Sequence, residues 1–260
     1  MSATTFFTWN VNGIRACHRQ GFVSTLEEYK PDIVGLQEVR ATQEQIPEDI
    51  QNHKIYPHQF YFGAQKKGYS GVGILSKKEP ENVLKGIGAK EFDFEGRSIT
   101  AIFPKFIYCS TYFPNSQDKG KRIAFKLEFC IALNEWLMKL SKKHPDKALI
   151  LAGDFNIAHE EIDLARPNDN HDSPGFLPDE RAWMSKFLDS GWTDSFRTLH
   201  KETVKYSWWS ARTRARDRNI GWRIDYHTLY NTDLKKIKKA EIYDQVFGSD
   251  HCPVTLSLDL

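Results

Sequence analysis

The chain has 260 residues, of which 40% are hydrophobic and 27% charged, so it is long enough to bury a sizeable core and is neither disordered nor fibrous in composition. Its 36 Lys and Arg are set against 34 Asp and Glu, and the net charge of +2 means that attraction to a polyanion requires a local basic patch. The four cysteines show neither zinc-site spacing nor the density of a disulfide scaffold, and no apolar run is long enough to cross a bilayer.

Short apolar runs alternate with helical periods along the chain, which predicts an α/β fold in one domain spanning residues 1–260. Runs rich in β-branched and aromatic residues predict strands at 6–11, 32–36, 71–75, 99–103, 106–112, 148–152, 223–230 and 254–258. The spacing of apolar residues predicts helices over 22–29 and 121–143. A third helix is predicted to begin at Pro178, with Asp179 and Glu180 complementing its dipole.

Polar side chains stand at one end of four predicted strands. They are Asn10 and Asn12, Gln37 and Glu38, Asp154 and Asn156, and Asp250 and His251. One such end is equally well explained by a turn, because Asp and Asn satisfy local backbone groups. Four ends that include a histidine favour a shared site, since the ends of strands in α/β sheets converge on ligands. Carboxylates and carboxamides favour Mg²⁺ or Mn²⁺ over zinc, and hence phosphate chemistry.

A basic segment, "KYSWWSARTRARDRNIGWR" at residues 205–223, carries six basic residues and one acidic residue. An isolated charge run is usually a solvated loop. Here Tyr206, Trp208, Trp209 and Trp222 interleave with the charges, which is typical of a surface that follows phosphates and stacks on bases or sugars. The "KKIKK" run at 235–239 has few aromatic neighbours and is interpreted as a solvated face.

Nine segments of the chain resemble, in order, the exonuclease III family of apurinic/apyrimidinic (AP) endonucleases. They are "WNVNGIRA", "LQEVR", "KKGYSGVGILSK", "EGR", "YFPNS", "GDFNIAHEEIDL", "GFLPDER", "GWRIDY" and "GSDHCP", and together they cover nearly the whole chain. The resemblance implies a four-layered α/β sandwich, in which two packed mixed β-sheets are flanked by helices. It also implies a Mg²⁺-dependent nuclease of base excision repair that hydrolyses the phosphodiester 5′ to an abasic site. Some members act as 3′→5′ exonucleases or 3′-phosphodiesterases.

The resemblance assigns catalytic roles to five residues. Asp154 would orient and deprotonate the attacking water, and Asn156 would position the water or the phosphate. His251 would donate to a non-bridging oxygen while Asp225 fixes its tautomer, and Tyr112 would reach the phosphate or the departing oxygen.

The resemblance also implies metal and DNA contacts. Glu38 would be the main Mg²⁺ ligand, with Asn10 beside it and Asp250 as an outer ligand, whereas Asn12 stands where certain members have Asp. The expected DNA-binding residues are Tyr69, Arg97, Asn115, Trp208, Arg212, Trp222 and Ile224, of which Trp208, Trp222 and Ile224 would wall a pocket for a flipped-out abasic sugar.

Two other function classes remain open from the residues alone. A phosphatase or sphingomyelinase-type phosphodiesterase would share the "GDFN" and "SDH" segments, but "WNVNGIRA", "GYSGVG" and "GWRIDY" match the DNA enzymes. A catalytically silent nucleic-acid-binding module is disfavoured because Glu38, Asp154, Asp225 and His251 are all present. The sequence does not rank abasic-site incision against exonuclease, 3′-phosphodiesterase, nucleotide-incision or uracil-directed activity, and abasic incision is the default.

The expected partner is double-stranded DNA with abasic or 3′-blocked lesions, and no membrane. A monomer is expected, located in the cytoplasm and on the nucleoid if the source is prokaryotic, because the start of the chain resembles no secretion signal. The four cysteines are expected to be reduced and mostly buried.

Overall fold

Two six-stranded mixed β-sheets form the centre of the computed structural model, which describes residues 3–260. The strand order is β13-β14-β1-β2-β4-β3 in the first sheet and β5-β6-β7-β8-β12-β9 in the second, and β10 and β11 form a separate two-stranded ribbon. The strands are β1 Thr4–Asn10, β2 Ile33–Gln37, β3 His58–Phe62, β4 Val72–Ser76, β5 Asn82–Lys85, β6 Ser98–Ile102, β7 Phe106–Tyr112, β8 Ala148–Asp154, β9 Thr193–Asp194, β10 Trp208–Trp209, β11 Gly221–Trp222, β12 Asp225–Tyr230, β13 Ile237–Ile242 and β14 Val254–Leu258.

Helices cover the outer faces of both sheets. The α-helices are α1 Ile14–His18, α2 Phe22–Tyr29, α3 Glu48–Gln51, α4 Lys90–Asp93, α5 Ile123–Lys143, α6 Pro178–Asp189 and α7 Ser195–Leu199. One apolar cluster packs α1, α2 and α3 on the first sheet, and a second packs α4, α5 and α6 on the other. A third cluster fills the space between the sheets. The four-layered α/β sandwich predicted from the sequence is therefore confirmed.

Most predicted elements are present with boundaries shifted by one or two residues. The helix expected over 121–143 begins at Ile123, and α6 begins at Pro178, which occupies a first-turn position. The strands β3, β5 and β13 were missed. Both β5 and β13 are edge strands with half-exposed, lysine-bearing sequences, so they lack the apolar runs of the central strands.

Parallel pairing brings the ends of the central strands to one edge of the sandwich. β1 runs parallel to β2, and β7 runs parallel to β8, with Tyr112 paired to Asp154. β12 is antiparallel to β8 and begins at Asp225 opposite Asp154, while β14 is antiparallel to β1 and follows His251. The carboxyl ends of β1, β2, β7 and β8 and the amino ends of β12 and β14 therefore meet at one edge of the sandwich.

The four cysteines, all within the described residues, are free and buried. Burial raises the pKa of the Cys17 and Cys130 thiols to about 12, so both are protonated at neutral pH. Among residues 3–260, no helix combines the length and the apolar composition that crossing a membrane requires.

A buried ion-pair network anchors the turn before β12. The Arg223 guanidinium, 1% exposed, donates to both oxygens of Asp163 at 2.8 and 3.0 Å and to Asp194 at 2.8 Å. Arg197 also pairs with Asp163. Burial raises the pKa of Asp163, but the two guanidinium groups outweigh it and lower the pKa to about 2. Arg223 is therefore a structural cation and not part of the exposed basic surface.

We predict that Asp163→Asn destabilises the protein by about 3–5 kcal/mol at pH 7, because it breaks a buried ion pair. An acid whose pKa is lowered by folding contributes stability above its ordinary pKa of 3.8 and loses that contribution as the pH falls through about 2. The difference in unfolding free energy between wild type and variant should thus narrow by about 2 kcal/mol between pH 4 and pH 2 in urea titrations. Asp146→Asn, at an exposed position, is the control, and a difference independent of pH contradicts the prediction.

Candidate active site

The turns after the strands place the polar side chains. Asn12, Glu38 and Asn156 each adopt a positive φ, of 43°, 50° and 51°, directly after their strands, so the backbone turns sharply there. Within β8, a Cβ on Gly153 would lie 1.9 Å from the carbonyl oxygen of Thr111, and its φ of 139° also favours glycine. The glycine of "GDFN" is therefore required for β8 to approach β7 immediately before Asp154.

Asp154 lies at the centre of a hydrogen-bonded group of side chains from both sheets. Its Oδ2 accepts from Asn10 Nδ2 at 2.8 Å and from Asn156 Nδ2 at 3.3 Å, and its Oδ1 accepts the backbone N–H of Asn156 at 2.8 Å. Asn156 Nδ2 also donates to the Phe113 carbonyl, and its Oδ1 accepts from Asn115 at 2.9 Å. The carboxylate is thus fixed in orientation from three sides.

His251 and Asp225 form a buried pair beside Asp154. His251 Nδ1 lies 2.8 Å from Asp225 Oδ2, and His251 Nε2 lies 3.8 Å from Asp154 Oδ2. Ser207 Oγ donates to the same Asp225 oxygen at 2.6 Å. Sequence reasoning missed Ser207, since a serine before two tryptophans carries no signal of its own. The structure brings together the pair that the sequence predicted and orients Nε2 toward the site.

Burial and the neighbouring carboxylates set the protonation states. Burial lowers the pKa of His251, but Asp225 and Asp154 outweigh it and raise the pKa to about 10, so the ring is an imidazolium at neutral pH. Burial raises the pKa of Asp154 to about 7, against the opposing charge of His251. Burial and the charges of Glu38 and Asp154 raise the pKa of Tyr112 well above 10, so its phenol is neutral.

Glu38, Asp154 and His251 form a compact group in which the two carboxylates can hold a metal ion, whereas the protonated His251 ring cannot serve as a ligand. One potential ligand atom from each lies within 4.8 Å of the others, and all three residues are buried. Two carboxylates in this group, with an opening to the substrate side, fit a hard divalent cation that keeps ligands from phosphate and water. The predicted main ligand Glu38 belongs to the group.

Two predicted metal contacts take other positions. Asn10 directs its Nδ2 at Glu38 Oε1, 2.9 Å away, and at Asp154, while its Oδ1 accepts the Asn12 N–H. It therefore bridges two carboxylates and presents no ligand oxygen. Asp250 lies outside the metal-capable group found among residues 3–260, and its oxygens accept from Asn12 Nδ2 at 2.8 Å and Trp208 Nε1 at 3.1 Å.

A cavity of about 290 Å³ opens next to the Asp154 and His251 side chains. Trp208, Trp222 and Ile224 form one wall, as predicted, and the two indoles meet edge to face at 6.2 Å. Gly175 completes the wall and was not predicted. Arg40, also in the lining, pairs with Glu38 and has a side chain 43% exposed, so it extends the basic character of the site.

The remaining predicted DNA contacts divide into exposed and buried groups. Asn115 and Arg212 are exposed, and Tyr69 is half-buried. Arg97 is only 2% exposed, and its guanidinium donates to the Tyr112 carbonyl and to Tyr69 Oη at 3.0 and 2.9 Å. Its position does not support a direct DNA contact, because its donors are already used to hold Tyr69 and Tyr112.

The basic segment is less charged at its surface than its composition indicates. Arg216 donates to the carbonyls of Asp244 and Val246 and stacks on Trp209 and Phe247, and Arg223 is buried. The exposed cations of this segment are Arg212, Arg214 and Arg218.

Comparison with known proteins places this site in a family. Residues 7–251 match the model of the endonuclease/exonuclease/phosphatase family. The chain belongs to this family. It is 43% identical to the exodeoxyribonuclease of Bacillus subtilis, over 97% of this chain and 98% of the relative, and 40% identical to the DNA repair nuclease APEX1 of Danio rerio, over 96% and 81%. An AP endonuclease structure from Archaeoglobus fulgidus superimposes with a TM-score of 0.88 at 28% identity, covering 99% of this chain and all of that one.

These family members are named as nucleases that act on DNA, and the predicted resemblance to exonuclease III and AP endonucleases is confirmed. The prediction of a hydrolytic nuclease is confirmed at the level of the family. The residues gathered in this chain around Asp154 and His251 lie within the matched region.

We predict that Asp225→Asn moves the alkaline limb of the kcat–pH profile downward by at least about two pH units. In the wild type the pKa of His251 is raised to about 10, so the imidazolium persists to high pH. The variant lacks Asp225, the charge that raises this pKa most, while burial still lowers the pKa. Steady-state rates between pH 6 and pH 10 measure this shift. Asp250→Asn is the matched control, because Asp250 has the weakest of these effects on His251, and an unmoved limb in Asp225→Asn contradicts the assignment.

Proposed function

We propose that this chain is a Mg²⁺-dependent DNA repair nuclease that hydrolyses the phosphodiester 5′ to an abasic site in double-stranded DNA. It would act in base excision repair as a monomer, with residues 1–260 forming one catalytic domain. The observation that carries the proposal is the apolar wall of Trp208, Trp222 and Ile224 in the cavity that the Asp154 carboxylate and the His251 ring also line.

The walls of that pocket suit a sugar without a base. Enzymes that read a flipped-out base do so through hydrogen bonds to its Watson–Crick edge. Trp208 already donates its only N–H to Asp250, and Ile224 has no polar side-chain atom. The edge-to-face indoles therefore offer apolar surface against a deoxyribose and favour an abasic nucleotide, which costs least to unstack.

The side chains around the pocket supply the chemistry of phosphodiester hydrolysis. Asp154, with a pKa raised to about 7, accepts a proton from the attacking water, and Asn156 positions that water or the phosphate. The His251 imidazolium donates through Nε2 to a non-bridging oxygen as negative charge develops, because Asp225 occupies Nδ1. Tyr112, a neutral phenol, donates to the phosphate or the departing oxygen.

The Glu38 carboxylate would hold the metal ion, with Mn²⁺ able to substitute for Mg²⁺. A bound divalent cation would neutralise a phosphate oxygen and assist the departure of the leaving group. Asn10 keeps Glu38 and Asp154 at a fixed separation by donating to both, at 2.9 and 2.8 Å. Arg40 pairs with the other Glu38 oxygen, so the carboxylate is oriented by Asn10 and Arg40 together.

The exposed residues around the pocket would bind the duplex. The exposed Arg212 and the half-buried Tyr69 would contact phosphates or sugars, and Asn115 would contact a phosphate while orienting Asn156. Arg97 would act indirectly by holding Tyr69 and Tyr112.

A second activity, 3′→5′ exonuclease or 3′-phosphodiesterase, is favoured by one observation. The relative from Bacillus subtilis, 43% identical to this chain, is named an exodeoxyribonuclease. The same Asp154 and His251 would serve both reactions, since both hydrolyse a phosphodiester.

We predict that the purified chain with Mg²⁺ cleaves a duplex with an abasic analogue faster than matched duplexes with uracil, a 3′-phosphate or a blunt end. Asp154→Asn should lower the rate of abasic incision about a thousandfold or more while duplex binding is kept, because the base is removed and the electrostatic site remains. Asp146→Asn, at the opposite end of β8, is the control and should match wild type. The proposal fails if the abasic duplex is cleaved no faster than the others.

We predict that Glu38→Ala raises the Mg²⁺ concentration needed for half-maximal activity at least about tenfold, with partial recovery at high Mg²⁺ or in Mn²⁺, because the main ligand sets metal affinity. Calorimetric titration with Mn²⁺ checks the same loss without turnover. Asp250→Asn is the matched variant and should leave metal affinity within about threefold, since its carboxylate is held by Asn12 and Trp208. Equal losses of metal affinity in Glu38→Ala and Asp250→Asn would show that Asp250 is also a metal ligand.

A further inference from the structure

A fully buried ion pair joins α5 to α6 beneath the active site. Lys126 Nζ lies 2.6 Å from Glu180 Oε1, and both side chains are 0% exposed. The sequence indicated only that Glu180 complements the dipole of α6. Isolating two opposite charges from water is costly, and apolar residues of similar size often stabilise a fold as well or better. The other contacts of Lys126 and Glu180 therefore explain this buried pair better than a contribution to folding stability does.

Lys126 makes its second contact with a catalytic residue. Its Nζ donates to the backbone carbonyl of Asn156 at 2.6 Å. Asn156 has a φ of 51°, in the left-handed region that asparagine adopts more readily than most other side chains. The ammonium fixes the orientation of that carbonyl, and with it the turn that directs the Asn156 amide at Asp154 and Asn115.

Glu180 contacts the pocket wall and the neighbouring loop. Its Oε2 accepts the N–H groups of Gly175 at 2.7 Å and Leu177 at 3.0 Å, and its Oε1 accepts the Ser116 hydroxyl. A Cβ on Gly175, where φ is 94°, would lie 3.4 Å from the Trp222 ring and 3.2 Å from the Asn156 carbonyl oxygen. Glu180 therefore holds the segment that packs against the pocket indole.

We propose that the Lys126–Glu180 pair is a positioning element that aligns the water-orienting Asn156 with the pocket wall at Gly175. The inference rests on the proposed function and adds to it the residues that couple the reacting centre to the lesion pocket. The other polar contacts of Lys126 and Glu180 go to three segments that line the site, around Asn156, Gly175 and Ser116. One ion pair therefore sets the relative position of these three loops.

The test uses Lys126→Met together with Glu180→Gln, which removes both charges and leaves no unpaired buried ion. We expect kcat for the wild-type enzyme's best substrate to fall about 100-fold, as a small displacement of a positioning group allows, with KM changed less than about threefold. The paired change should cost less than about threefold when made in Asn156→Ala, because residues that act as one unit are not additive. Circular dichroism and thermal unfolding confirm that each variant is folded.

The paired change Lys147→Met with Glu81→Gln is the matched control, because this ion pair lies away from the site, and it should leave kcat unchanged. If the Lys126 and Glu180 variant does not fold, Glu180→Asp, which keeps both charges and shortens the side chain that holds Gly175 and Leu177, enters the same cycle, and a loss of kcat that is absent in the Asn156→Ala background is again expected. An unchanged kcat, or a full 100-fold loss repeated in Asn156→Ala, overturns the inference. The proposed function is tested separately, by the wild-type rates on the four duplexes. The mutant cycle does not depend on that result, because it uses whichever of the four substrates the wild type cleaves fastest.

Discussion

The close approach of the two β-sheets is the constraint on which the site depends. The Tyr108 hydroxyl of β7 donates to the Phe7 carbonyl of β1, and Ser110 donates to the Leu36 carbonyl, so the sheets are hydrogen-bonded across their interface. A Cβ on Gly35 would lie 2.5 Å from the Tyr108 hydroxyl oxygen, so β2 requires glycine at this point. Only at this separation does an asparagine of one sheet reach an aspartate of the other.

The Asn10 amide makes that connection, since it donates to Glu38 within its own sheet and to Asp154 across the interface. Three carboxylates and one imidazole then share a small buried volume at the end of the sandwich. Asp154 and Asp225 hold His251 as an imidazolium, and burial leaves Asp154 with a pKa near neutrality. The proposed proton acceptor, Asp154, and the proposed proton donor, His251, consequently lie 3.8 Å apart.

Buried charges elsewhere in the molecule hold the loops that surround this centre. Arg223 stands between the pocket residues Trp222 and Ile224 and is fixed by Asp163 and Asp194. Arg97 is fixed in the same manner beneath Tyr69 and Tyr112. Each cation was indistinguishable in sequence from a surface residue that binds phosphate, because composition records a charge and not its partners.

The sequence by itself determined the fold class and the family. Apolar runs with polar ends predicted which strands are central, and nine ordered segments identified the family and implied the roles proposed for Asp154 and His251. These features are local, since strand period and motif spacing depend on neighbouring residues.

Tertiary structure alone decided which polar groups face each other. In the folded chain the Asn10 amide donates to two carboxylates, Asp250 accepts from Asn12 and Trp208, and Arg97 is buried. Folding also joins Lys126 to Glu180 and Ser207 to Asp225. Such contacts link residues 18 to 238 positions apart, and their free energy depends on burial and distance, which no local pattern encodes.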